Sequence, residues 1–427
     1  MKINLIEFKN FKSYKHLLID FKDFNVLIGA NSAGKSNCIQ AITFLKDIVH
    51  DGLENAISMQ GGTKFLKNLN YNSNDNKMYF RVEFSPDKKF HFNAEKNKKK
   101  YKFTINKFEY SFCLEIDDEK ETYKIIDDKI IQYYDFYNIT NSEKLICSNQ
   151  FSLTKKAEKF KFKFPPTPQI PFQLNELNRI LFIGFEDFTI EKRLLKTSLL
   201  KKTILLETPL YFMPHLETLK TDFANIAIYD FDPRTPKQAT TIAGKSELLE
   251  NGENLPLVLK KIFSDIELKR KYLNYLKFLL PYIKNIEIER MLDKYLQIAI
   301  QEQYSKEKLI PGFLLSDGTI FILGIITALY FEDKPIVVFE EPERRIHPYL
   351  ISKIIDMMKD ASSNKQIILS THNPEIVKFA GLENIHYISR DENGFSKIDK
   401  ITEKKEIKTF LENEIGIEEL FIQNLIK

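Results

Sequence analysis

The tract Gly29-Ala30-Asn31-Ser32-Ala33-Gly34-Lys35-Ser36 constrains this chain more than any other stretch of its 427 residues. It reads GxxxxGK[ST]. The short apolar run Phe24-Asn25-Val26-Leu27-Ile28 precedes it, and Cys38, Ala41, Ile42, Leu45, Ile48 and Val49 follow at helical spacing. A strand, a glycine-rich turn and a helix in that order make a cradle for phosphate. The glycines let backbone N–H groups turn inward, and the helix offers the positive end of its dipole. Lys35 is expected to reach the β- and γ-phosphates of a nucleotide such as ATP, and the Ser36 hydroxyl to ligate Mg²⁺.

Patterning along the chain separates three blocks. Residues 1–70 hold this strand, loop and helix. Residues 71–300 open with strand-like alternation from Lys77 to Phe164, as in Tyr79-Phe80-Arg81-Val82-Glu83-Phe84. Pro165, Pro166, Pro168 and Pro171 punctuate the chain there, and helices dominate from Leu174 to Leu280. Period-two alternation returns at Ile286/Ile288 and Leu296/Ile298/Ile300. Residues 301–427 then give an apolar helix (Ile320 to Tyr330), a buried-type strand (Ile336 to Phe339), a helix (Pro348 to Ala361) and a strand (Gln366 to Leu369). Strands alternating with helices imply a parallel-rich sheet with flanking helices, so the expected fold class is α/β. Residues 1–70 and 301–427 read as two halves of one domain, split by a large β-rich and then helical insertion.

Three further motifs lie in the last block. The strand ending Val338-Phe339-Glu340-Glu341-Pro342-Glu343 delivers two carboxylates to its C-terminal end, where ligands bind in open α/β sheets. Adjacent strand residues point to opposite sides, so different tasks are expected: Glu340 holding Mg²⁺, Glu341 polarising an attacking water as general base. After the next strand come Ser370-Thr371-His372-Asn373-Pro374, where His372 is placed to hydrogen-bond a γ-phosphate. Leu315-Ser316-Asp317-Gly318-Thr319 opens the apolar helix, and Ser316 and Gly318 at a helix N-terminus form a second anion site. One domain with two such sites suggests that the second serves a partner's nucleotide.

In this order the four motifs resemble the ABC-class P-loop ATPase heads of the RecF, structural-maintenance-of-chromosomes (SMC) and OLD families, over roughly residues 1–70 and 300–385. The resemblance implies that residues 29–36 are Walker A, with Asn37 beside them, and that Ser316, Asp317 and Gly318 belong to a signature motif acting in trans. It makes Glu340-Glu341 Walker B, residues 343–348 the D-loop region and His372 the switch histidine. The opening Ile6-Glu7-Phe8-Lys9-Asn10-Phe11-Lys12-Ser13-Tyr14 resembles the first strand and turn of those heads, which makes Lys12 a further nucleotide contact. Glu-Glu-Pro-Glu followed by Ile346-His347-Pro348 is most similar to small bacterial "AAA" ATPases found beside nucleases in phage-defence operons. A slow, partner-regulated, Mg²⁺-dependent ATPase is therefore expected. It would act as a homodimer or higher homo-oligomer that controls a separately encoded nuclease or toxin. Two positions depart from the pattern: Glu340 stands where the family commonly has Asp, and only Gln60, before Gly61-Gly62, offers itself as a Q-loop glutamine.

Other signals carry less. The three cysteines (Cys38, Cys113, Cys147) are scattered and never CxxC, which indicates neither a disulfide framework nor a zinc site and fits a reducing cytoplasm. No run of about 18 apolar residues suggests a membrane span, and the N-terminus lacks the apolar stretch of a signal peptide. Asp230-Phe231-Asp232 invites a nuclease reading, but Pro233 follows at once and a turn is favoured. Residues 373–427 are too few for a nuclease domain after the switch histidine. A net charge of +4 does not by itself point to nucleic acid. The Lys cluster from Lys96 to Lys102 and the alternating Lys159, Lys161, Lys163 could track a phosphate backbone, although solvated strand faces account for both. Two alternatives stay open, a DNA-binding ATPase of repair or chromosome maintenance and, less well matched, a transporter's nucleotide-binding subunit.

Overall fold

The computed structural model describes residues 1–68, 76–117, 119–156, 159–165, 167–181, 202–208, 214–305 and 308–400. It forms two compact units. One comprises Met1–Phe21, Asn37–Asn225 and Arg390–Ile398; the other comprises Lys22–Ser36, Ile226–Ser389 and Asp399–Lys427. The inserted block 71–300 is thus shared between them, the part up to Asn225 in the first and the part from Ile226 in the second.

The first unit is built on an eight-stranded sheet. Its strands run in the order Tyr14–Asp20, Lys2–Phe11, Lys77–Ser85, Lys99–Asp117, Thr122–Asn138, Lys144–Lys156 and Lys159–Lys163, with Phe90–Lys96 also paired to Lys99–Asp117. Every pairing is antiparallel. Such a sheet can bury one face and wet the other. In Lys77–Ser85 the side chains of Met78, Phe80, Val82 and Phe84 are buried and their neighbours are not. Phe8, Phe80 and Phe112 are direct cross-strand neighbours, with ring centroids 5.9 and 5.5 Å apart and nearly parallel planes. Phe44, on the part of helix Lys35–Asp51 that belongs to this unit, lies 6.0 Å from Phe11 and 6.5 Å from Phe112. Lys161 and Lys163 are exposed and Phe162 and Phe164 half-buried, as the alternation requires. Lys96 and Lys102, from the basic cluster, pair with Glu176 and Glu143.

The second unit carries five parallel strands of a six-stranded sheet, in the order Ala227–Tyr229, Ile336–Glu340, Gln366–Thr371, Phe24–Ile28, Ile385–Arg390, with Ser396–Lys400 next to the last of them. Strands covered on both faces need continuous apolar runs rather than alternation. All six residues of Gln366–Thr371 and all five of Phe24–Ile28 are buried. Helix Asp317–Tyr330 is apolar around its whole circumference and buried from Thr319 to Leu329, as a core helix must be. A smaller four-stranded sheet joins Thr240–Thr241, Tyr295–Glu302, Ile283–Met291 and Ile310–Pro311. Among the described residues no helix is long and apolar enough to cross a membrane.

The parallel register aligns the strand ends. Tyr229 lies beside Phe339, Glu340 beside Ser370, and Thr371 beside Ile28, so the loops that follow all leave the same edge. The stacked phenylalanines of the first unit give a stability prediction. Phe112→Ala, which empties a fully buried site, should cost about 3–5 kcal/mol. A urea or thermal unfolding comparison with wild type that finds less than about 1 kcal/mol would show that this stack does not hold the sheet together.

Candidate functional site

The loop after strand Phe24–Ile28 enters helix Lys35–Asp51 through two left-handed positions, Ser32 (φ 64°) and Gly34 (φ 121°). These turn the chain back on itself. Gly29 has a different reason to be glycine: a Cβ there would collide with the carbonyl oxygen of Ile388 on strand Ile385–Arg390. Asn31 and Ser32 are exposed at the rim, while Ala33 and Gly34 are buried. Lys35, only 6% exposed, donates through Nζ to the carbonyl oxygens of Gly29 (2.8 Å) and Ala30 (3.1 Å). Burial lowers its pKa, and the carboxylates of Glu341 and Glu343 oppose that shift.

Ser36 donates through Oγ to Glu340 Oε2 at 3.4 Å. Burial raises the Glu340 pKa, the nearby Asp230 carboxylate adds to the rise, and the Ser36 hydroxyl counters it. A hydroxyl and a carboxylate side by side at the mouth of a phosphate cradle are the donor set that Mg²⁺ takes when substrate phosphates complete its shell. Among the described residues no group of three or more His, Cys, Asp or Glu could hold a metal unaided.

The two Walker-type carboxylates part company for a reason the strand pattern does not contain. The strand ends at Glu340, and Glu341 adopts φ 42° beyond it, in the left-handed region that L-residues avoid. Its N–H donates to the Ser370 carbonyl at 3.0 Å, which fixes the turn. Glu341 Oε2 accepts from Arg344 Nε at 2.6 Å, and Oε1 lies 3.1 Å from His372 Nδ1. Burial pushes the Glu341 pKa up, but these two partners outweigh it and the net shift is downward. Arg344, in turn, lies 3.9 Å from Asp230. Asp232, from the same tract, sits in a turn and chelates Arg234 at 2.7–3.2 Å.

At the Leu315–Thr319 motif Ser316 caps helix Asp317–Tyr330, its Oγ accepting from the Thr319 N–H at 3.1 Å. Asp317 is held between Lys237 and Arg345, the latter at 2.6 Å. The Lys237 hydrogen bond, seconded by Arg345, draws its pKa down. A Cβ on Gly318 would lie 2.8 Å from the Arg345 carbonyl oxygen, so the residue is glycine because backbone passes over it.

Lys12 and Asn37 belong to the first unit. Lys12 has φ 48°, and burial lowers its pKa. Asn37 Nδ2 donates to Ser13 Oγ at 2.7 Å. With Phe65, Lys67 and Arg390 these residues line a cavity of about 360 Å³. Gln60 closes helix Leu53–Met59 of the same unit.

Sequence reasoning placed Arg344 and Arg345 in the D-loop region and Thr371 in the motif around His372 without giving any of them a partner, and it passed over Lys237. Arg344 carried a signal, being three residues after Glu341 in a turn; Lys237 lies 80 residues from Asp317 and carried none.

This arrangement is that of an ABC-class P-loop ATPase head. The chain aligns with a crystal structure of an SMC head bound to the C-terminal winged-helix domain of ScpA, at TM-score 0.51 and 14% identity, covering 96% of this chain and 100% of that one. That likeness is one of fold. Residues 24–378 match the family described as "AAA domain, putative AbiEii toxin, Type IV TA system", and the chain belongs to that family. It is 35% identical over 101 residues to the DNA replication and repair protein RecF of Carboxydothermus hydrogenoformans (23% of this chain, 29% of RecF). It is 38% identical over 89 residues to the structural maintenance of chromosomes protein 1 of Arabidopsis thaliana (17% of this chain, 7% of the relative). The chain thus spans less than a third of the length of these curated relatives.

The geometry around Glu341 makes one electrostatic prediction independent of any activity. Arg344→Gln removes the stronger of the two groups that keep Glu341 ionised, so its carboxyl should titrate at higher pH. Carboxyl ¹³C NMR of glutamate-labelled protein, with Glu341→Gln to assign the signal, reads this directly. A signal titrating as in wild type would mean that Arg344 does not set the charge.

Proposed function

We propose that this chain is a cytoplasmic ATP-hydrolysing switch in which two copies close head to tail around ATP. The observation that carries the reading is the alignment of three loops on one edge of the parallel sheet. These are the cradle at Gly29–Ser36, the Glu340-Glu341 turn and the Thr371-His372 turn, with Ser36 in contact with Glu340. Backbone N–H groups of the cradle and Lys35 bind the phosphates, with Asn37 and Lys12 as the further contacts that the resemblance implies. Ser36 and Glu340 would hold Mg²⁺, which when bound neutralises phosphate charge. Glu341 uses one lone pair on each oxygen for Arg344 and His372, and a carboxylate retains others for a water. That water's oxygen bonds to the γ-phosphorus as the bond to the β–γ bridging oxygen breaks, leaving ADP and phosphate. Glu341 orients the water and takes its proton, and His372 hydrogen-bonds the γ-phosphate. Ser316, Asp317 and Gly318 complete the partner copy's site.

The inserted region couples this cycle to a separately encoded effector, a nuclease or toxin of antiphage defence. The toxin and toxin–antitoxin wording of the family description supports that direction. Glutamate at 340, longer by a methylene than the commoner aspartate, favours a slow, partner-regulated rate. The RecF and SMC relatives favour a second reading, direct DNA binding in repair or chromosome maintenance, which salt-sensitive affinity for duplex DNA would reveal.

Mechanism is tested on the two carboxylates. Glu341→Gln should lower single-turnover hydrolysis by about 10²–10⁴-fold while mant-ATP binding survives. Glu340→Gln should weaken Mg²⁺-dependent binding, and Lys35→Ala should weaken ATP binding by about 1.5–3 kcal/mol. Wild-type hydrolysis in Glu341→Gln, with ATP trapped by Glu340→Gln instead, would reverse the roles.

Assembly is tested at the signature. Ser316→Arg should bind ATP as wild type does yet fail to dimerise with ATP, as judged by light scattering, and fail to hydrolyse it. Normal turnover in this variant would sink the shared-site reading.

A further inference from the structure

Glu343, two residues beyond Glu341, lies in the turn between strand Ile336–Glu340 and helix Pro348–Ala361. The hydrolysis scheme above leaves it without a task. It is a carboxylate only 8% exposed, and one of its oxygens, Oε2, finds no hydrogen-bond partner among the described residues. Burying a charged group with an unsatisfied oxygen costs free energy, so a glutamate kept there needs a reason. Its other oxygen, Oε1, accepts from the Thr371 hydroxyl. Thr371 is itself fully buried and immediately precedes His372. Because the threonine proton goes to Glu343, its oxygen is left to accept, and it does so from the Asn373 N–H at 2.9 Å. The chain Asn373 N–H to Thr371 O–H to Glu343 therefore ties down the backbone on both sides of His372. The Ile346 N–H donating to the Glu343 carbonyl at 3.1 Å holds the glutamate's own turn.

We infer that Glu343 is a positioning residue: through Thr371 it holds the 371–373 turn so that the half-exposed His372 ring meets Glu341. Glu341–His372 and Glu343–Thr371 are two bridges between the same pair of loops, one accessible and reactive, the other buried and structural. The inference rests on the ATPase reading for its consequence, but the placement of His372 can be observed without any nucleotide. What the turn needs from Glu343 is an acceptor at Oε1, not a negative charge. Glutamine supplies that oxygen and leucine does not.

The test uses the full chain and the variants Glu343→Leu, Glu343→Gln, Thr371→Val and the Leu/Val double. Imidazole ¹⁵N NMR of the nucleotide-free protein, with His372→Gln for assignment, reports the His372 environment. Single-turnover hydrolysis and mant-ATP titration report function. Glu343→Leu and Thr371→Val should each shift the His372 signals and slow hydrolysis on the order of 10²-fold, the scale of an ångström-sized misplacement. mant-ATP affinity should stay within about threefold. Glu343→Gln should recover most of the rate, and the double variant should be no slower than either single, since both cut one chain. Thr371→Val keeps the test valid if Glu343→Leu does not fold. Unmoved His372 signals, additive effects in the double variant, or a Glu343→Gln as slow as Glu343→Leu would each overturn the inference. Shifted His372 signals in a chain whose wild type does not hydrolyse ATP would instead leave the placement standing and refute the ATPase reading.

Discussion

Strand Gln366–Thr371 pairs in parallel with Ile336–Glu340 on one side and Phe24–Ile28 on the other, and the candidate site depends on that pairing. Parallel strands begin and end together, so the loop after each emerges at one edge. The central strand has no exposed residue. A one-residue slip in it would turn each side chain to the opposite face and carry Thr371 and His372 away from Glu341 and Glu343. Helix Asp317–Tyr330 and helix Pro348–Ala361 contribute buried residues to the same core as these strands, which fixes the register from outside.

On this edge the charges are distributed unevenly. Glu340 and Glu343 are shifted toward protonation, chiefly by burial, whereas Glu341 between them is shifted the other way by Arg344 and His372. Neighbouring acids pushed apart in this manner are a recurrent mark of sites where groups have separate tasks. Lys35 feels two of the three carboxylates from within the cradle. Asp317, at the start of helix Asp317–Tyr330, is paired with both Lys237 and Arg345.

Much of this was legible in the residues. The strands around Phe24–Ile28, Ile336–Glu340 and Gln366–Thr371 are short, apolar and β-branched, and the sequence places helix Pro348–Ala361 with the bounds it has. The antiparallel strands from Lys77 to Lys163 announce themselves by alternation. The two-unit division was not legible, because it runs inside helix Lys35–Asp51 and through the inserted block. Nor was the reason why Glu340 and Glu341 diverge: pleat alternation ends at Glu340, and the left-handed turn after it owes its form to a hydrogen bond with Ser370, 29 residues further along.

Local sequence alone determined the phosphate cradle, the α/β pattern, the order of the motifs and the family resemblance, because glycine conformational freedom, helix periodicity and strand propensity act over a few residues. Tertiary structure decided which charges meet. His372 on Glu341, Thr371 on Glu343, and Lys237 and Arg345 on Asp317 are pairings whose partners come from different loops. Electrostatic and hydrogen-bond energies fall off within a few ångströms, and distance along the chain says nothing about distance in space until the sheet has formed.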